Sequence, residues 1–133
     1  MTRSKLREEL FKLLFRVEFV DKEELQEQFD LFVNDEVTFE ESESADLKTK
    51  FDAIVEKLTD LDNKINEKTI SWDTGRIGKA ELTILRIAVY EILYDDLIPA
   101  PAAINEAVEL AKKYGDDGAS KFINGVLAKF VNE

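Results

Sequence analysis

Apolar residues recur at spacings of three and four along almost the whole of this 133-residue chain, with only two Pro and five Gly to interrupt them. That period stacks apolar side chains on one helix face and leaves little room for a core built from alternating strands. Leu6, Leu10, Leu13, Leu14 and Val17 form a first stripe, with Thr2 placed as its N-cap. Asp21 can cap a second helix carrying Leu25, Phe29 and Phe32. Residues 35–43 are mostly acidic and polar and read as a loop; Glu36-Val37-Thr38-Phe39 alternates but is too short for a strand. A long third helix from near Ser44 presents Leu47, Phe51, Ile54, Val55, Leu58, Leu61 and Ile65. Ser71 to Gly75 breaks the pattern, and Gly78 is a second weak point. Ala80 to Tyr94 is apolar on most sides and should be the central helix. Asp95 to Pro101, with two Pro, reads as a turn. Ile104, Ala107, Val108 and Ala111 define the next helix, which Gly115 is placed to end in a left-handed cap. Phe122, Ile123, Val126, Leu127, Phe130 and Val131 define the last, where Gly125 predicts close approach of another backbone. The expected fold is all-α, a compact helical bundle of about six to seven helices. It forms one domain over residues 1–133, in two three-helix lobes joined through residues 68–79. Along it run a basic N-terminal helix (2–19), acidic helices (21–67) and a C-terminal helical half (76–132).

Composition removes several kinds of chemistry. There is no Cys and no His, so no thiol nucleophile, no disulfide, no sulfur-based zinc site and no imidazole base. No Gly-rich phosphate loop or zincin pattern occurs. The run Glu40-Glu41-Ser42-Glu43 lacks the spacing of a calcium loop. No enzyme, no metal and no cofactor is expected. The first nine residues carry five charges and no apolar export segment. The longest apolar-rich stretch, Ile84 to Tyr94, is interrupted by Arg86 and Glu91 and falls far short of the roughly 20 residues that span a bilayer. A cytoplasmic protein without membrane attachment is the expectation.

The net charge is −11, which taken globally argues against a non-specific nucleic-acid binder. Its distribution changes that reading. Residues 1–16 hold five basic and two acidic residues, a local +3, while residues 21–67 hold five basic and 16 acidic, a local −11. Residues 68–133, with eight basic and ten acidic, are nearly balanced. The N-terminal helix is therefore a basic edge on an acidic protein.

Specific motifs lie in the C-terminal half. They are Trp72 and Arg76, then Ile84-Leu85-Arg86-Ile87-Ala88 with Tyr90-Glu91-Ile92-Leu93, then Ile104-Asn105-Glu106-Ala107-Val108-Glu109-Leu110-Ala111-Lys112-Lys113-Tyr114-Gly115, then Lys121-Phe122-Ile123-Asn124-Gly125-Val126-Leu127. At the N-terminus, Arg3-Ser4-Lys5-Leu6-Arg7 is followed by Lys12, Leu14 and Phe15. This ordered set resembles the NusB family of bacterial transcription antitermination factors. The resemblance spans nearly the whole chain and is weakest over 20–68. It implies an all-helical RNA-binding protein without enzymatic activity. Family members bind a single-stranded boxA-type element in nascent RNA together with NusE, a small-subunit ribosomal protein. The complex loads onto the RNA polymerase elongation complex and suppresses termination, chiefly on rRNA operons.

The resemblance assigns RNA contact to Arg3, Lys5, Arg7 and Lys12, and to Lys121, Phe122 and Asn124. It assigns the partner-protein interface to Phe15, Glu81 and Arg86. Each has a plainer reading. The N-terminal cations can be a solvated helix face. Phe15 and Phe122 can be core, and Glu81 an exposed first-turn acid favoured by the helix dipole. Arg86 can be a structural cation paired with an acid such as Glu91 or Glu106. Trp72, Tyr90, Tyr94 and Tyr114 are assigned to packing. Lys12 stands where the family usually has Gln, Ser4 replaces an Arg, and Phe15 replaces a Tyr. Gly118 replaces an acid that tunes RNA affinity, and Pro101 replaces a Lys. The alternative function is a helical protein-interaction module, or a homodimer that buries the basic helix. A stand-alone relative of the NusB-like domain fused to RNA methyltransferases is a third.

Overall fold

The computed structural model describes residues 1–34, 39–69 and 77–131. Among them are seven α-helices and no strand: α1 (Arg3–Phe15), α2 (Leu25–Val33), α3 (Glu41–Glu56), α4 (Leu58–Lys68), α5 (Lys79–Tyr94), α6 (Ala100–Tyr114) and α7 (Ala119–Val131). Short 3-10 turns occupy Arg16–Glu18 and Lys22–Glu24. The chain divides into two compact units, Met1–Glu56 and Lys57–Glu133. Glu36, Val37 and Thr38, and the Ser71–Gly75 break with Trp72, lie outside the described residues, as does Arg76.

In the first unit α1 packs against α2 and α3. Leu10, Phe11, Leu13 and Leu14 of α1, Leu25, Phe29 and Phe32 of α2, and Leu47, Phe51 and Ile54 of α3 are buried. Burying each large apolar side chain contributes about 1.5–3 kcal/mol, which drives the packing. Thr2 accepts from the Lys5 backbone N–H at 3.0 Å, the N-cap expected of it. Asp21 caps a 3-10 turn by position, without a side-chain hydrogen bond, and α2 begins four residues later.

α3 begins at Glu41, inside the segment expected to be a loop. Glu43 reaches back to accept from the Glu40 backbone N–H at 2.9 Å, half of a capping box, and it also takes the Met1 ammonium. The acidic run thus serves the positive end of a helix. The long third helix is two helices. Lys57, at φ −102° and ψ 11°, separates α3 from α4, and this is where the units divide, rather than within 68–79. The apolar stripe keeps its phase across Lys57, so periodicity alone shows no break. Only the packing does: α3 lies on α1, while α4 lies on α5 and α7.

In the second unit α5 is central, packed against α4, α6 and α7. Every residue from Leu82 to Val89 is buried. No buried side-chain nitrogen or oxygen among the described residues lacks a hydrogen-bond partner, the fully buried Glu91 included. α6 starts at Ala100, so Pro101 lies in its first turn rather than in the preceding turn. A helix's first N–H groups have no intrahelical acceptor, so Pro costs nothing there.

Three glycines behave differently from the sequence expectation. Gly115 ends α6 in an extended conformation (φ −91°, ψ 171°), not a left-handed one. A Cβ there would lie 2.5 Å from the Ala119 Cβ and 2.8 Å from the Ala111 carbonyl oxygen, so close packing requires the glycine. Gly118 carries the positive φ, +84°. Among the described residues, nothing lies within 4 Å of where a Gly125 Cβ would sit. Gly118→Ala is therefore expected to lose about 1 kcal/mol. Gly125→Ala is expected to gain about 0.5–1 kcal/mol from helix propensity. Urea midpoints of the two variants should move in opposite directions.

Candidate nucleic-acid interface

The N-terminal cations expected to meet RNA, Arg3, Lys5, Arg7 and Lys12, lie on α1. Arg3 and Lys5 are exposed; Arg7 and Lys12 are half-buried. The first turn holds Arg3 and Lys5 and no acid. A helix N-terminus carries a partial positive charge, so cations there cost about 0.3–1 kcal/mol each rather than helping the helix. Helix stability does not explain them. Converging donors and positive charge at a helix start do suit an anion such as phosphate.

Two of these cations are held by acids of the same helix. Lys5 Nζ lies 3.3 Å from Glu8 and 3.2 Å from Glu9. Lys12 Nζ lies 3.3 Å from Glu9 and 3.9 Å from Glu8. Glu9 is only 1% exposed. Its hydrogen bond, with that of Glu8, holds the Lys5 ammonium above its ordinary pKa. Sequence reading counted the two acids against the cations but did not pair them, although spacings of three, four and seven on a helix made the quartet legible.

The second unit builds a corner from the start of α5, the end of α6 and the start of α7. Glu81 accepts from the Asp116 backbone N–H at 3.2 Å, tying α5 to the α6–α7 connection. That is a more specific task than an exposed first-turn acid performs. Past the left-handed Gly118, the Gly118 carbonyl accepts from the Phe122 N–H at 3.1 Å. Lys121 and Asn124, three apart, are exposed on α7, while Phe122 between them is half-buried and Ile123 is fully buried. The positive φ of Gly118 gives the glycine there a backbone reason. The corner retains Asp116 and Asp117, both exposed.

Phe15 is half-buried in the first unit, its ring 6.1 Å from Phe11 and 5.1 Å from Phe19. Phe19, 61% exposed, is an aromatic that sequence reading passed over, although it stands one helical turn after Phe15. Arg86 is 8% exposed and forks onto Asp62 of α4, with Nε and one terminal nitrogen each 2.8 Å from a carboxylate oxygen. This is the structural pairing foreseen in kind, with a partner 24 residues away that sequence reading did not name. Tyr94 donates its hydroxyl to Asp60 and lies under the Lys57 ammonium, 4.4 Å from the ring centroid. Among the described residues no three acids are grouped to hold a metal ion, and no helix is long and apolar enough to cross a membrane.

The NusB family model matches residues 4–132. The chain belongs to the NusB family. The transcription antitermination protein NusB of Agathobacter rectalis is 55% identical over 98% of this chain and all of its own length. That of Lachnoclostridium phytofermentans is 42% identical over 99% of this chain and all of its own. A solved T. maritima NusB structure superposes with a TM-score of 0.90 at 31% identity, covering 100% of this chain and 92% of that one. A crystal structure of the antitermination factors NusB and NusE in complex with dsRNA matches at a TM-score of 0.83 and 26% identity, over 98% of this chain and 97% of that one. The NusB family match thus runs through both units.

Proposed function

We propose that this chain is a non-enzymatic, cytoplasmic transcription antitermination factor. It binds a boxA-type single-stranded RNA in nascent transcripts together with NusE. The complex then acts on the RNA polymerase elongation complex, chiefly on rRNA operons. The observation that carries this reading is the cation array of α1, with Arg3 and Lys5 in the first turn against the helix dipole, in a member of the NusB family. Arg3, Lys5, Arg7 and Lys12 contact phosphate, with Arg also able to stack on a base. Lys121, Phe122 and Asn124 supply a second contact of cation, ring and amide. Phe15, with Glu81 and Arg86, belongs to the NusE-facing set, and the exposed Phe19 beside Phe15 supports a protein contact there. The two units work together as one domain over 1–133.

An acidic protein with a small basic edge repels RNA elsewhere, so a basic partner should strengthen binding. Affinity for single-stranded boxA RNA is expected to rise about tenfold or more when NusE is added, a gain of about 1.4 kcal/mol. Fluorescence anisotropy with boxA, a scrambled strand and a boxA duplex checks this. No preference for boxA over the scrambled strand with NusE present would defeat the reading. Tighter binding to the duplex would defeat its single-stranded part. Light scattering in the same solutions would reveal a homodimer that occludes α1.

A further inference from the structure

We propose that Glu8 and Glu9 act as a built-in competitor for RNA phosphate, holding Lys5 and Lys12 in internal ion pairs and so limiting backbone-driven RNA binding. The inference rests on the RNA-binding reading above. The four residues stand at i, i+3, i+4 and i+7 on α1, which brings all of them to one side of the helix. Every Lys–Glu pairing in this quartet lies within 4 Å. The side chains of Lys5 and Lys12 are 45% and 39% exposed, so RNA can reach them, whereas that of Glu9 is 1% exposed.

Helix stabilisation does not account for all of these pairs: Glu8 with Lys12 has the favoured acid-first i, i+4 order but is the longest, at 3.9 Å. The closest, Lys5 with Glu9 at 3.2 Å, has its cation N-terminal to its acid, the weaker orientation for an i, i+4 pair. Burial gives Glu9 a different consequence. A buried carboxylate is costly when it loses its cations. A phosphate that draws Lys5 or Lys12 away leaves Glu9 with one partner fewer. RNA must therefore exchange for an existing anion rather than meet a waiting cation. An RNA held only by its backbone has few other contacts to offset that exchange. Arg3 is exposed and stands five residues ahead of Glu8, so on this proposal it is the cation through which binding starts.

The test compares the full-length protein with two variants, E8Q/E9Q and E24Q/E27Q. The second removes the same charge from the N-terminal region of α2, in the same unit. Affinities for boxA and for a scrambled strand of equal length are measured from roughly 0.05 to 0.3 M salt, with and without NusE. E8Q/E9Q is expected to bind the scrambled strand about three- to tenfold tighter at low salt, with a log–log salt slope steeper by about 0.7–1.4. E24Q/E27Q is expected to stay within about twofold of wild type. Unchanged or weaker binding by E8Q/E9Q overturns the proposal, and so does an equal gain by E24Q/E27Q, which would make net charge the cause. Failure of the RNA-binding reading looks different: wild type then shows no boxA preference with NusE. If circular dichroism shows E8Q/E9Q to be poorly folded, E8Q alone must show a gain of about twofold in the same direction, and its absence overturns the proposal.

Discussion

Replacing Arg3, Lys5 and Arg7 together with alanine is expected to weaken boxA binding by about tenfold to a hundredfold near 0.1 M salt. Each cation that neutralises a phosphate of single-stranded RNA contributes about 0.7 to the salt slope, so the slope should fall by up to about 2. Lys5 should contribute less than Arg3, because Lys5 is already engaged by Glu8 and Glu9 while Arg3 is exposed at the helix start. Stability should fall modestly: Arg3 is exposed and its removal relieves the dipole, but Arg7 is half-buried and losing Lys5 takes one cation from the buried Glu9. Thr2 still caps the helix. Equal affinity and equal slope for variant and wild type, with NusE present, would remove α1 from the binding mechanism.

Arg86→Met should be costly to the fold, by about 2–4 kcal/mol, lowering Tm by roughly 6–16 °C. The guanidinium is nearly buried and forks onto Asp62 with two 2.8 Å contacts. Removing it strips a half-buried carboxylate of a bidentate partner. Asp62→Asn should cost a similar amount: the amide oxygen still accepts one hydrogen bond, but the nearly buried guanidinium stays charged and loses its ion pair. The double variant R86M/D62L should recover much of the loss, since a buried pair replaced by apolar groups is often near neutral. Thermal melts of the three proteins measure the coupling. NusE affinity measured well below Tm addresses the partner-interface role. A folded R86M that binds NusE as wild type does confines Arg86 to holding α4 on α5. A loss of more than about tenfold gives it a direct interface role as well.

Much of this was legible in the residues. The stripes of α1, α5 and α7 largely followed their buried faces because a helix repeats every 3.6 residues whatever it packs against, although the buried Phe11 lay outside the expected stripe and Val131 at the end of α7 is exposed. Thr2 was legible as a cap because its task is local. Errors gathered where neighbours decide. Gly115 and Gly118 stand three apart in one connection, and composition could not say which takes the positive φ and which the close approach. Pro101 looked like a helix breaker until the first turn of α6 was found to contain it. Gly125 suggested a close approach that no described residue makes, and its α7 position is exposed.

By itself, the sequence determined an all-helical chain, its buried faces, a basic first helix on an acidic protein, and membership of the NusB family. Each depends on local period, local charge or ordered motifs, all carried along one dimension. Tertiary structure decided which charges remain available. It made Glu9 a buried anion between Lys5 and Lys12, joined Arg86 to Asp62, and set Glu81 to hold the α6–α7 connection. It also divided one continuous apolar stripe at Lys57 between two packing surfaces. Burial and pairing depend on which helix lies against which, and residues 24 or 35 apart in the chain meet only after the helices have packed.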